Sequence, residues 1–331
     1  MSNGILYITE SLEQLLDPEI LSEIKQGASN CFFEVQSLGA FCQLPKKSRD
    51  PNPPFILIDP QTLADLFELT SFVVDEFTIV VTLEKDNPSL EAYASRLQDL
   101  RYVVGKSTPY LMAGTICAIL EFHVTKTVRG VLPRIMSLDL IQSLNMELQN
   151  TAEKATALDS VVQFFEDEIG RHKEKLVSGT SSYPRNLSYI ADELLMNSIW
   201  DASKDRVHAD RSLPQELPDG QEVQLECACD GQFLALSVSD TLGTFPVQAR
   251  FRPIKHALGM KVETSINHGP GGAGLGLSMI LQKIHLLCYE IKKGSFTRAI
   301  ALLRSDLSMR ELQKLPKTVI FLELDEEPIS P

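Results

Sequence analysis

Apolar strand-like runs and helical runs alternate over the first 128 residues, and this alternation limits the possible folds more than any other feature of the sequence. Ile5-Leu-Tyr-Ile8 is a short apolar strand, and Leu12 to Lys25 carries helical spacing. Cys31-Phe-Phe-Glu-Val35 is strand-like. Pro54 to Pro60 holds a buried strand ending in Asp59, and a helix follows around Thr62 to Leu69. Phe77 to Leu83 and Tyr102 to Gly105 supply a fourth and a fifth strand, and Tyr110 to Val124 a last helix. Repeated strand–helix units predict a parallel sheet covered by helices on both faces.

A chain of 331 residues is long enough for a second core. Its 44% hydrophobic and 23% charged residues predict ordinary globular domains. A net charge of -13 argues against broad nucleic-acid binding, which needs clustered Lys and Arg. The N-terminus has no basic stretch followed by an apolar core. The longest apolar stretch, Tyr110 to Leu120, is too short to cross a bilayer. The expected location is therefore the cytoplasm, with no membrane contact. Cys227 and Cys229 are two apart on an expected strand with no second pair, so they are read as buried thiols and not as a zinc site.

Residues 129–155 are read as a helical connector, because Leu138, Leu140, Ile141, Leu144 and Leu148 recur at helical spacing. Such a connector is where a homodimer contact is expected. A second helical run carries Leu158, Val161, Val162, Phe164, Phe165 and Ile169 and leads to His172, read as a surface histidine.

Residues 156–331 form the second expected domain. Ser188 to Ser203 reads as a helix on which Glu193, Asn197 and Asp201 fall at i, i+4 and i+8, on one face. Val223 to Cys229 and Phe233 to Ser239 alternate about Asp230-Gly231, a hairpin signal. The return strand ends in Asp240-Thr-Leu-Gly243-Thr-Phe245. Gly269-Pro-Gly-Gly272-Ala-Gly274-Leu-Gly276-Leu277 then opens a helix read as far as Leu287. Bare amides at a helix start suit phosphates. Three further strands are expected at Tyr289 to Lys292, Thr297 to Leu303 and Thr318 to Leu324.

These three motifs, in this order, resemble the N, G1 and G2 boxes of the ATPase domain shared by histidine kinases and DNA gyrase B. The resemblance covers residues 156–326 and implies a two-layer α/β sandwich of the Bergerat type that binds ATP and magnesium. It implies that Asn197 ligates the magnesium through an oxygen, beside Asp201. Glu193 would orient or deprotonate the attacking group. Asp240 would accept a hydrogen bond from the adenine amine, with Gly243 admitting the base. Gly272, Gly274, Gly276 and Leu277 would cradle the phosphates. The stretch from Thr244 to Pro270 would be a flexible lid, with Arg250, Arg252, Lys255 and Lys261 within reach of phosphate.

The first 128 residues are flavodoxin-like and resemble a response-regulator receiver. Asp59 stands where a receiver carries its phosphoacceptor, Thr82 where it carries its switch threonine, and Lys106 where it carries its phosphate-binding lysine. A receiver also needs an acidic pair after the first strand, and only Glu10 is present. The resemblance therefore implies a degenerate receiver, with an active Asp59 as the alternative. Together the two resemblances imply a two-component signalling protein whose partner is a response regulator or another signalling protein. Transfer of phosphate to that partner is one expectation; nucleotide-gated or nucleotide-independent adaptor function, as in an anti-sigma-type regulator, is the other.

Overall fold

A computed structural model describes residues 4–31, 33–38, 53–127, 131–137, 141–172, 182–202, 213–261 and 276–324. It is mixed α/β, 45% helix and 27% strand, and it divides into two compact units that differ in how their strands pair.

In the first unit the strands are β1 (Gly4–Thr9), β2 (Phe33–Leu38), β3 (Phe55–Ile58), β4 (Thr78–Thr82) and β5 (Tyr102–Gly105). They lie in the order β2-β1-β3-β4-β5, each neighbour parallel to the next. All residues of β3 and β4 are buried, as strands covered on both faces must be. The helices are α1 (Glu10–Leu15), α2 (Pro18–Asn30), α3 (Pro60–Leu69) and α4 (Pro109–Thr125), then the single turn α5 (Leu132–Ile135). The helix expected from Leu12 to Lys25 is in fact two. Pro18 lacks the N–H that would continue α1 and instead takes the first position of α2. α2 packs on α4, and α3 packs on a 3₁₀ stretch at Pro88–Leu97.

The second unit begins with a correction. Gln142–Leu148, expected inside a helical connector, is strand β6. It runs antiparallel to β7 (Val223–Cys229), from Gln142 opposite Cys229 to Leu148 opposite Val223. Leu144 and Leu148 are four apart, a spacing that suits a strand of period two as well as a helix. The intervening Met146 settles the alternation. The helical homodimer element expected here is thus absent over these residues. α6 (Glu153–Arg171) and α7 (Tyr183–Met196) follow as expected helices, and they pack on each other and on β7. β8 (Phe233–Asp240) returns from the Asp230-Gly231 turn antiparallel to β7. There Gly231 holds a φ of 83°, and the Asp230 carboxylate accepts from the N–H groups of Ser137, Gln232 and Phe233.

After β8 the chain forms a 3₁₀ turn, Val247–Arg250, and α8 (Phe251–Ala257). α9 (Gly276–Lys283), β9 (Leu286–Lys292), β10 (Phe296–Arg304), the short α10 (Met309–Leu312) and β11 (Thr318–Leu324) complete the order. α9 stops at Lys283, short of the expected Leu287, because Leu286 already belongs to β9. The antiparallel order in this unit is β9-β10-β8-β7-β6.

Two late segments, Gln248–Val262 and Leu315–Ile320, belong to the first unit. The first of them lies in the stretch expected as a flexible lid, and its described residues are packed into the first unit. Pro253, Ile254, Ala257 and Leu258 are buried. The Asn87 amide donates to the Leu258 carbonyl at 3.0 Å, and the Lys261 N–H donates to Glu91 at 2.6 Å. Gly259, with φ 69°, sits so close to Lys85 that a Cβ would come within 1.9 Å of its carbonyl oxygen. The reason lies in the sequence of α8, whose apolar side chains would be exposed on a loop in solution. In the second segment Val319 and Ile320 pair antiparallel with Val103 and Tyr102, and the Gly105 N–H donates to Thr318 Oγ1 at 3.0 Å. Among the described residues no helix is long and apolar enough to cross a membrane.

Candidate functional site

Three elements of the second unit supply the candidate site. α7 carries Glu193 on its last turn, and there the helix widens: Asn197–Asp201 is a π turn, closed by the Ala202 N–H on the Asn197 carbonyl at 2.8 Å. This corrects the expectation that Glu193, Asn197 and Asp201 share a regular helical face, since the wider turn shifts Asp201 out of the i+8 register. A π turn costs hydrogen-bond quality and recurs at functional sites. It buries Ser198, Ile199 and Trp200 and leaves Asp201 exposed.

β8 ends in Asp240, 4% exposed. Its Oδ1 accepts from the N–H groups of Leu242 at 3.0 Å and Gly243 at 3.4 Å. Burial raises its pKa, and hydrogen bonds from Leu242, Gly243 and the Ser198 hydroxyl oppose that rise. Ser198 had no place in the motif reading, because only the π turn brings its hydroxyl to Asp240.

α9 brings Gly276 against Glu193. A Cβ at Gly276 would lie 2.2 Å from Glu193 Oε2, so a side chain there would displace the carboxylate. Tyr189 donates its hydroxyl to Glu193 Oε1 at 3.3 Å, and the Lys283 ammonium stands 5.2 Å from the Tyr189 ring centroid while donating to Asn186 at 2.7 Å. Leu277 is half-buried on the first turn of α9. Gly272 and Gly274 lie outside the described residues.

Two residues of the second motif also serve the packing of the unit itself. Gly243 has a φ of 59°, and the space its side chain would fill is occupied by the chain's own backbone: the Lys292 carbonyl lies 2.4 Å from a built Cβ. The close approach that requires glycine here is to the β9–β10 turn. Phe245 packs its ring 4.6 Å from Tyr289 and 5.7 Å from Phe321. It anchors the segment after Asp240 to the sheet.

The four basic residues expected in the lid belong to the first unit. Arg250 is 4% exposed and donates to the Gln98 carbonyl at 3.4 Å. The Lys255 ammonium lies over the Phe251 ring, and Lys261 follows the turn that Gly259 makes. The buried Nε and Nη2 of Arg252 make no hydrogen bond among the described residues.

A second candidate lies at the C-terminal edge of the parallel sheet, where open α/β sheets place their sites. A cleft of about 320 Å³ is lined by Asp59, Gln61, Leu83, Glu84, Asp86 and Asn87, among others. Asp59, however, is engaged in capping α3. Its Oδ1 accepts from the Thr62 N–H at 2.9 Å and its Oδ2 from the Thr62 hydroxyl at 2.6 Å. Lys106 turns its ammonium to Asp17, 3.5 Å away. Thr82 is fully buried, and its hydroxyl has no hydrogen-bond partner among the described residues. Glu10 is exposed at the first position of α1. The expected phosphoacceptor constellation is thus divided among separate structural tasks.

Comparison with known proteins finds no protein-family model that matches this chain and no curated protein that matches it.

Proposed function

We propose that the second unit binds ATP with magnesium as the ATPase domains of histidine kinases do, in a two-layer sandwich of the Bergerat type. On this reading the protein is a cytoplasmic two-component signalling protein that phosphorylates a separate protein partner. The observation that carries the reading is the seating of Gly276 directly on Glu193, in the unit whose β8 ends in the buried Asp240. Glu193 and Gly276, far apart in sequence and suited to different parts of one nucleotide, approach each other within one unit. Asp240 is acceptor-only when ionised and suits an exocyclic amine. Among the described residues no hydrogen bond engages the Asn197 side chain, which leaves its oxygen for a hard cation. The glycine-rich approach to α9 suits phosphate. Glu193, held by Tyr189, suits a base or orienting carboxylate. Phosphoryl transfer needs little more than such positioning and charge.

The test is incubation of the purified chain with labelled Mg-ATP, alone and with candidate response regulators. Saturable binding, with acid-labile label appearing on the partner and not on this chain, is the expected result. Label on this chain that His172→Ala abolishes would instead make it an ordinary histidine kinase. Absence of binding would defeat the nucleotide reading.

A second reading is favoured by the use of Gly243 and Phe245 in internal packing: a nucleotide-gated adaptor without transfer. Binding without label on any partner distinguishes it. For the first unit, the strand order β2-β1-β3-β4-β5 and the capping role of Asp59 support a degenerate receiver that acts by shape.

A further inference from the structure

We propose that Glu168, His172 and Cys229 bind a single zinc ion in the second unit, with the fourth coordination position left to water. Glu168 and His172 are one turn apart at the end of α6, and Cys229 ends β7, on the face of the sheet that α6 covers. One ligand atom from each, a carboxylate oxygen, a ring nitrogen and the Sγ, lie within 4.8 Å of one another. Glu168 Oε2 and His172 Nε2 are 3.9 Å apart. Zinc bonds of about 2.0–2.3 Å in a tetrahedron put neighbouring ligand atoms about 3.3–3.8 Å apart. Closing the site on an ion therefore asks for side-chain shifts of about 1 Å.

An independent observation points to a ligand. Glu168 is 2% exposed, and while its Oε1 pairs with Arg171, its Oε2 makes no hydrogen bond among the described residues. A buried carboxylate oxygen left without a partner is costly, and a cation supplies what the protein does not. The surroundings are also built to hold His172 and Cys229. Gly231, with φ 83°, leaves room for the imidazole: a Cβ there would come within 3.0 Å of His172 Cε1. The Gly231 N–H donates to Cys229 Sγ at 3.4 Å. The Ser305 hydroxyl fixes the same turn through the Gly231 and Gln232 carbonyls, each at 2.9 Å.

The donor set chooses the metal. Thiolate, imidazole and carboxylate together suit zinc; magnesium and calcium prefer all-oxygen sites. This site is therefore separate in chemistry from the magnesium expected at Asn197, and it does not rest on the nucleotide reading. Cys229 is the buried thiol that the sequence leads one to expect, and the further ligands come from a helix distant in sequence. It also gives His172 a task other than phosphate acceptance.

The test uses the full chain, stripped with chelator and titrated with zinc or cobalt. Zinc should bind at one equivalent and raise the thermal midpoint. Cobalt should give a thiolate charge-transfer band that is kept in Cys227→Ser and lost in Cys229→Ser. His172 is partly exposed, so His172→Gln should fold, bind zinc at least about tenfold more weakly and lose the thermal shift. Should Cys229→Ser fail to fold, His172→Gln decides the matter. No thiolate band in the parent chain, or unchanged zinc affinity in His172→Gln, overturns the proposal.

Discussion

Asp59 and Asp240 each follow or end a buried strand, and each is almost wholly removed from solvent, at 3% and 4% exposure. Their surroundings give them different tasks. After β3 the chain runs Pro60-Gln-Thr62 straight into α3, and Thr62 takes both oxygens of Asp59, one by its N–H and one by its hydroxyl. After β8 it runs Thr241-Leu-Gly243 into a turn, and the two backbone donors both fall on one oxygen of Asp240. A helix start absorbs the first carboxylate as a cap. The second is held by the turn that follows it and by the Ser198 hydroxyl of the π turn. Burial alone is thus a poor guide to a functional carboxylate; what differs is how the donors of the following residues are shared between its two oxygens.

Buried titratable groups in the first unit include bases: burial lowers His123 to about 3 and His256 to about 4, with nearby cations adding to the effect. His123 lies among the rings of Phe55, Phe77, Tyr102 and Phe122 and shares a 2.8 Å hydrogen bond with the Tyr102 hydroxyl. Those in the second unit include acids at its candidate sites, Asp240 and Glu168.

The sharpest way to break the contrast is Gly276→Ala. The new Cβ would collide with Glu193 Oε2, so Glu193 must move. A misplacement of about 1 Å in a catalytic group can cost roughly a hundredfold in rate. ATP turnover or transfer should fall by that order in steady-state assays while the thermal midpoint of the protein changes little. Unchanged turnover would remove Glu193 from the chemistry.

Next comes Asp240→Asn, which replaces a charged acceptor by a neutral one. A hydrogen bond to a charged group is worth about 1.5–3 kcal/mol, so ATP affinity should drop roughly tenfold or more by calorimetry. Asn197→Ala should act in parallel, weakening binding in the presence of magnesium more than binding of ADP without metal. Equal losses with and without the ion would point to damage to the π turn.

The matching change in the first unit has the opposite signature. Asp59→Ala removes the cap of α3 and should cost about 1 kcal/mol in denaturant unfolding with no change in nucleotide affinity. Acetyl phosphate should leave the intact mass of the parent protein unaltered. Stoichiometric labelling that Asp59→Asn abolishes would restore Asp59 as a phosphoacceptor and erase the contrast.

The last expected effect is a slope. Between an ordinary histidine value near 6.5 and the folded values of about 4 and about 3, the unfolded chain binds protons that the folded one refuses. Stability should therefore fall as pH drops through that window, by about 1 kcal/mol per pH unit or less for each histidine. His123→Phe should flatten the acid limb in urea titrations. An unaltered limb would mean that His123 is not held neutral.

Much of the architecture was legible in the sequence because periodicity reports local burial. The five strands of the first unit, the Val223–Asp240 hairpin with its Asp230-Gly231 turn, and the helices around Leu158 and Glu193 follow from spacing and turn chemistry alone. So did the positions of Asp240 and Gly276 at the ends of a strand and the start of a helix. Where a spacing served two periods, as in Leu144 and Leu148, the sequence could not decide, and pairing with β7 did. Tertiary contacts alone decided four further matters. The residues after Val247 join the first unit, because their apolar stripe finds cover there. Gly243 is required by the β9–β10 turn that crowds it. The helix after Met196 opens into a π turn that carries Ser198 to Asp240. Finally, Glu168 and His172 meet Cys229, because α6 lies across a strand formed much later in the chain. Local sequence fixes which face of an element is apolar; only the packed chain fixes which polar groups from distant elements that face will meet.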